Sequence, residues 1–91
     1  MRLDTYLTLA RLVKTRSLAK ALIDAGRVSK AGHVLKAGYE VHVGDELVIH
    51  YDTRYLDVRI VGVPEGRHKL PSARRGTMYA VLSQRPDEFF D

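Results

Sequence analysis

The chain has 91 residues, with 15 Lys and Arg against 11 Asp and Glu, a formal net charge of +4 and no cysteine. This length predicts one domain with a single small core, and 45% hydrophobic residues exclude a disordered basic tail. The lack of cysteine excludes disulfides and thiol chemistry, and no uncharged run approaches the roughly 18 residues of a membrane span. We therefore expect a cytoplasmic domain that does not span a membrane.

Apolar residues recur at helical spacing near the N-terminus, which predicts a first helix from Arg2 to about Ala10. Asp4 lies in its first turn, where a negative charge favours the helix dipole. Arg2 and Asp4 are close enough for an ion pair, although a surface pair has little energetic value. The expected buried face comprises Leu3, Tyr6, Leu7 and Ala10.

A second helix is predicted from Arg16 to Ala25. Thr15 is the expected N-cap, and Gly26 stands where a left-handed residue commonly ends a helix. Helical spacing predicts a polar face with Arg16, Lys20 and Asp24. The same spacing predicts a core-facing stripe of Leu18, Ala21, Leu22 and Ala25.

Positive charge is concentrated in the first part of the chain. Residues 1–36 contain eight Lys or Arg and two Asp, whereas residues 37–91 contain seven Lys or Arg and nine Asp or Glu. Lys14 and Arg16 flank the start of the second helix, where the dipole disfavours cations, so the helix gains nothing from them. This part of the chain therefore predicts an anion-binding surface, with nucleic acid as first candidate and an acidic membrane or acidic protein as second.

The apolar pattern changes after Gly26 from helical spacing to short strands. A hairpin is predicted from residues 28–30 and 33–35, with Gly32 supplying the positive φ of its turn. Further strands are expected at residues 46–51, 55–63 and 78–82, with a basic loop at 64–76.

Patterns typical of catalysis, metals and cofactors are missing from the sequence. The four histidines have no paired ligand spacing, the serines have no nucleophile-elbow setting, and the glycines form neither common phosphate-binding motif. We therefore predict a binding protein that is not an enzyme and that uses no metal or cofactor.

Three segments carry a family resemblance: RLDTYL at residues 2–7, KTRSLAKALIDAGRVSKAGHVLKAG at 14–38 and VHVGDELVI at 41–49. Together they resemble the RNA-binding domain first defined in small-subunit ribosomal protein S-four, over about residues 2–50. A standalone domain of this length resembles the bacterial family that contains the fifteen-kilodalton heat-shock protein and the shorter ribosome-quality-control factor RqcP.

The resemblance implies an α+β fold, in which two N-terminal helices pack on a small curved antiparallel sheet (the alpha-L RNA-binding motif) with a short β extension. It implies one RNA-binding domain over residues 1–82, with the core motif at 2–50 and the extension at 51–82. Residues 83–91 are then expected to form a flexible acidic tail.

The resemblance also implies a function in ribosome-associated quality control. The partners would be 23S rRNA and peptidyl-tRNA on stalled, split large ribosomal subunits. The protein would stabilise P-site tRNA while a tailing elongation factor extends the nascent chain at its C-terminus. A monomer with no membrane partner is expected.

The family's RNA-binding residues can be carried over position by position. Arg2, Asp4 and Arg16 match the residues expected to matter most. Forked guanidinium groups suit bidentate phosphate contacts, and the scarcity of aromatic residues on this face favours structured RNA over single strands. The wider predicted RNA-binding face comprises Arg11, Lys14, Thr15, Ser17, Lys20, Arg27 and Lys30.

Two departures from the family pattern bear on the choice of member. The chain lacks the long basic C-terminal extension of the heat-shock protein, and residues 72–75 are basic where relatives tend to be acidic. Three alternatives stay open: a recycling factor for blocked large subunits, a detached RNA-binding module that works with an RNA-modifying enzyme, and a protein-interaction module.

Overall fold

The computed structural model describes residues 1–63 and 78–86. Two helices precede five strands, which form one antiparallel sheet in the order β2-β1-β3-β4-β5. The predicted α+β fold with two N-terminal helices is confirmed. The elements are α1 (Leu3–Leu9), α2 (Arg16–Asp24), β1 (Val28–Lys30), β2 (His33–Val34), β3 (Glu46–His50), β4 (Arg54–Ile60) and β5 (Tyr79–Pro86).

Both helices contribute to a single apolar core with the sheet. Alternate residues of β3 and β4 point inward, as expected for a sheet with one buried face. The core also includes Met78, immediately before β5. Its fully or almost fully buried members from the helices and strands are Leu3, Tyr6, Leu7, Ala19, Ile23, Val28, Leu47, Ile49, Val58 and Ile60.

Helix α1 buries the face that its sequence predicts. The backbone N–H of Leu3 donates to the Tyr39 carbonyl at 2.8 Å, and Arg2 forms an isolated β-bridge with Glu40. The hydroxyl of Tyr6 donates to the Met78 carbonyl across the core. These bonds fix the start of α1 against the chain segment that precedes β3.

Helix α2 begins as predicted, because the Thr15 side chain accepts a 3.2 Å hydrogen bond from the backbone N–H of Leu18. Gly26 has a φ of 78°, which confirms the expected left-handed residue after the helix. The predicted buried face is wrong. Ala19 and Ile23 are buried, whereas Leu18 is 54% exposed and Leu22 is half-buried.

The error has a physical reason. Ala19 and Ile23 are also four residues apart, so α2 contains two overlapping stripes with helical spacing, and the packing partners select one of them. Here Ala19 and Ile23 belong to the buried core that also contains residues of α1 and of the sheet. Ala21 and Ala25, which were predicted to be buried, are exposed.

The predicted hairpin is confirmed. Ala31 and Gly32 both have positive φ values, 51° and 81°, as a two-residue type I′ turn requires. The flanking residues Lys30 and His33 are paired across the turn.

The last strand is longer than the sequence predicts. β4 extends back to Arg54, and this gives β5 pairing partners as far as Pro86. Residues 83–86, predicted as the start of a flexible tail, are therefore strand, and they have no apolar alternation that would indicate it. The predicted loop at 64–76 and the rest of the predicted tail lie outside the described residues.

We expect Ile23→Ala to lower the free energy of unfolding by about 2 to 5 kcal/mol, because it leaves a cavity in the core. The matched change Leu18→Ala on the same helix should alter it by less than about 0.5 kcal/mol, because Leu18 is exposed. Chemical denaturation followed by circular dichroism measures both values. Equal losses would contradict the buried face described for α2.

Candidate nucleic-acid interface

The carboxylate of Asp4 is the centre of a charged cluster that joins the two helices. It accepts hydrogen bonds from Arg2 at 3.1 and 3.3 Å and from the backbone N–H of Thr5 at 2.8 Å. Nε of Arg16, at the start of α2, lies 3.4 Å from its second oxygen. Asp4 is only 1% exposed, so the expected surface pair is in fact built around a buried acid.

The cluster keeps a net positive charge at the surface. One carboxylate is shared by two guanidinium groups, whose side chains are 54% and 62% exposed. Burial raises the pKa of Asp4, but the hydrogen bonds from Arg2 and Thr5 and the charges of Arg2 and Arg16 outweigh it, so the pKa lies below its usual range. Asp4 therefore stays ionised and positions the two arginines.

A structured loop joins the helices and carries two further cations. The N–H of Arg11 donates to the Thr8 carbonyl, and the N–H of Leu12 donates to the Leu7 carbonyl, at 3.1 and 3.0 Å. Arg11 has a φ of 61°, an uncommon conformation for a residue with a side chain. The loop thus presents Arg11 and Lys14 to solvent on a backbone held by hydrogen bonds.

The same loop is fixed from the sheet side by Tyr51, which follows β3. Its hydroxyl donates to the Leu12 carbonyl at 2.8 Å, and burial raises the pKa of Tyr51. The guanidinium of Arg54 lies over the Tyr51 ring, 4.8 Å from its centre. The Tyr51 hydroxyl therefore holds the turn between β3 and β4 close to the basic loop, and Arg54 covers the Tyr51 ring.

The other predicted RNA-binding residues at the start of α2, along it and after it differ in exposure. Ser17 and Lys20 are exposed on the helix that carries Arg16. Thr15 is exposed and caps that helix through its side chain. Arg27 is half-buried, and its carbonyl accepts from the N–H of His50 on β3 at 2.8 Å. The Arg27 backbone is therefore held against the end of β3, directly before β1 begins.

Lys30 has a structural role that its sequence position does not indicate. Its ammonium donates to Asp45 at 2.8 Å and to the Tyr39 hydroxyl at 3.1 Å, and these bonds raise its pKa. Asp45 is 7% exposed and also accepts from the Tyr39 hydroxyl and the His42 backbone N–H. This pairing leaves Lys30 less suited to a phosphate contact than its predicted place on the RNA-binding face suggests.

Two contributors to this surface were missed in the sequence. Tyr51 and Arg54 were assigned to a strand and a connecting turn, with no role in the basic face. Their stacking and the Tyr51 contact to the loop depend on how the turn packs against residues almost forty positions earlier. No local pattern in the sequence signals such a contact.

In the described part of the chain, no helix combines the length and the apolar character needed to cross a membrane. Among the same residues, no three His, Asp or Glu side chains meet in an arrangement that could hold a metal ion.

Comparison with known proteins identifies the class to which this fold and surface belong. Residues 1–47, from α1 into β3, match the family described as S4 domain. The RQC P-site tRNA stabilizing factor of Halalkalibacterium halodurans is 41% identical over 86 residues, 94% of each chain. That of Bacillus subtilis is 36% identical over 84 residues, which cover 92% of this chain and 94% of the relative.

Heat-shock proteins form a second group of relatives. The heat shock protein 15 homolog of Haemophilus influenzae is 34% identical over 74 residues, 81% of this chain and 56% of the relative. The solved structure of Vibrio cholerae heat shock protein 15, described as trimeric, has a TM-score of 0.76 at 24% identity and covers 91% of this chain and 82% of its own. The chain belongs to the S4 domain family, among the RQC P-site tRNA stabilizing factors and heat shock protein 15 homologues.

We expect the stabilising effect of Asp4 to depend on pH. Its pKa is lower in the folded than in the unfolded chain, so its contribution is complete above about pH 4 and is lost as pH falls through the folded-state pKa. The difference in unfolding free energy between the wild type and Asp4→Asn should therefore shrink below about pH 4. Denaturant titrations between pH 2.5 and 7 measure this difference.

Asp45→Asn is a positive control and should show the same pH dependence, because that buried carboxylate also has a lowered pKa. A difference that is constant with pH would contradict the ionised, paired state of Asp4.

Proposed function

We propose that the protein is a non-catalytic RNA-binding factor of ribosome-associated quality control in the cytoplasm. It binds 23S rRNA and peptidyl-tRNA on stalled, split large ribosomal subunits. There it stabilises P-site tRNA while a partner elongation factor extends the nascent chain. The observation that carries this proposal is the display of Arg2 and Arg16 around the buried carboxylate of Asp4.

The physics of this surface suits phosphate recognition. A guanidinium group has five donors in a fixed fork, and Asp4 engages Arg16 through Nε, so the terminal nitrogens of Arg16 lie outside this ion pair. Arg11 and Lys14 add charge on a loop whose backbone is already ordered, which lowers the entropy cost of binding. A rigid surface with these donors recognises folded RNA through its shape and backbone.

The names of the relatives support a function at the P-site tRNA. Five RQC P-site tRNA stabilizing factors match 92% to 97% of this chain. The chain and these relatives have nearly equal lengths, because the match also covers 92% to 94% of each relative. Binding at the P-site tRNA is therefore the first function to test.

Recycling of blocked large subunits is the second candidate function. The similarity to heat shock protein 15 in sequence and fold favours it. The alignment nevertheless covers only 56% of the Haemophilus relative, against 92% to 94% of the RQC P-site tRNA stabilizing factors. The monomeric state stays a prediction for this chain, since the trimer was described for the Vibrio protein.

We expect the protein to sediment with large subunits that carry peptidyl-tRNA, and Arg16→Ala to weaken this association about tenfold or more through the loss of charged hydrogen bonds. Sucrose-gradient fractions of cells that express the tagged protein, probed for the tag and for peptidyl-tRNA, measure the association. Arg59→Ala is the matched control, because Arg59 is similarly exposed and pairs with Glu46 at 2.9 Å on the sheet.

Three results would contradict this prediction. Equal loss of association for Arg16→Ala and Arg59→Ala would remove the case for the Asp4-centred surface. Protein found only at the top of the gradient would instead favour work with an RNA-modifying enzyme or a protein partner. Large subunits bound without peptidyl-tRNA would favour a different stage of ribosome function.

We expect the affinity for purified large subunits to fall steeply with salt, because phosphate contacts release counterions. The slope of log K against log salt should be several units for the wild type and should decrease by about one for Arg16→Ala. Binding isotherms at four salt concentrations give both slopes. A flat response would indicate that phosphate contacts do not dominate the interface.

A further inference from the structure

An open groove of about 390 Å³ lies beside the basic loop. We call it the α2–turn groove, because one wall comes from the loop and α2 and the other from the turn between β3 and β4. Its volume is within the range of about 300 to 1,000 Å³ that is typical of small-molecule sites. The lining residues are Val13, Leu18, Leu22, Tyr51, Asp52, Thr53 and Arg54.

Leu18 is an exposed apolar residue in the wall of this groove. It is 54% exposed in the first turn of a helix whose buried face is formed by Ala19 and Ile23. An exposed leucine on its own needs no explanation. Leu18, however, stands next to the half-buried Val13 and Leu22 in the groove wall, so the three form a continuous apolar surface on one side.

The opposite wall is polar and supplies both kinds of hydrogen-bonding group. The Asp52 carboxylate accepts, the Arg54 guanidinium donates, and the Thr53 hydroxyl does both. The Arg54 guanidinium also lies over the Tyr51 ring, 4.8 Å from its centre, which positions it at this wall of the groove. The groove therefore combines an apolar face with a hydrogen-bonding edge.

We propose that the α2–turn groove binds one unpaired nucleotide of the RNA that the basic surface contacts. The base lies against Leu18 and Leu22, and its polar edge meets Asp52, Thr53 and Arg54. This inference rests on the proposed function, because it requires RNA at the neighbouring surface. It adds an apolar contact with a base to an interface that is otherwise built from phosphate contacts.

Charge and position favour a nucleotide over a protein side chain. The groove is continuous with the basic loop, since Val13 lies between Leu12, which Tyr51 holds, and Lys14, which is exposed. A phosphate beside the bound base would thus meet positive charge. An apolar protein side chain would leave Asp52, Thr53 and Arg54 partly desolvated without partners, which costs free energy.

The test is chemical probing of RNA bases on purified large subunits that carry peptidyl-tRNA, with reagents that together modify all four bases. Wild type and Leu18→Gln are compared at saturating protein. We expect one or a few unpaired bases protected by the wild type to regain reactivity with Leu18→Gln. The dissociation constant should rise about tenfold, because a polar side chain replaces part of the apolar surface against which the base lies.

Two controls separate this effect from others. Leu9→Gln changes another exposed leucine on a helix, outside the groove, and should leave the protections unchanged. A chain that ends at Pro86 tests whether the protein's own last five residues occupy the groove, since Pro86 pairs with Arg54 at the groove wall. It should protect the same bases with unchanged affinity.

The outcomes distinguish the inference from the proposed function. Base protections that are identical in wild type and Leu18→Gln would overturn the inference and leave RNA binding intact. An effect of Leu18→Gln that requires an added protein factor, or a gain in affinity for the chain that ends at Pro86, would overturn it in favour of another occupant. Failure of the wild type to bind large subunits would refute the proposed function itself.

Discussion

The basic surface of this protein depends on one buried carboxylate. A cluster of arginines would repel itself and would lose side-chain entropy on meeting RNA, but Asp4 lies beneath Arg2 and Arg16 and holds both. The acid cancels only one of the two positive charges, so the surface remains attractive to phosphate. Because Asp4 has its own partners in the first turn of α1, the positions of the arginines are tied to the packing of the two helices.

A second buried acid, Asp45, likewise binds a cation and connects separate parts of the fold. Asp45 binds Lys30 of β1, the hydroxyl of Tyr39 and the backbone of His42. It thereby fixes the hairpin to the turn before β3. The two carboxylates differ in where they hold the cations that they bind. Asp4 leaves its arginines largely at the surface, whereas Asp45 draws Lys30 into a network of the fold.

Much of the architecture could be predicted from the sequence, because local chemistry determines it. The Thr15 cap, the positive φ of Gly26 and the hairpin turn at Gly32 all follow from residue types at fixed spacing. The buried side of α2 could not, because two apolar stripes fit the same period and only the tertiary partners decide between them. The burial of Asp4 and the role of Lys30 depend on contacts across 12 and 15 residues, which no local pattern encodes.

The bond between Tyr6 and Met78 has a consequence for how the chain acquires its structure. These residues are 72 positions apart, and both are buried in the one core. The match to the S4 domain family ends at residue 47, whereas the core that holds residues of both helices also includes Leu56, Val58, Ile60 and Met78. Residues 1–47 alone would therefore lack part of the core that surrounds these helices in the full structure. The arginine-bearing helices are synthesised first, whereas the Met78 carbonyl that accepts from Tyr6 is added much later, and contacts between residues so far apart in sequence slow folding.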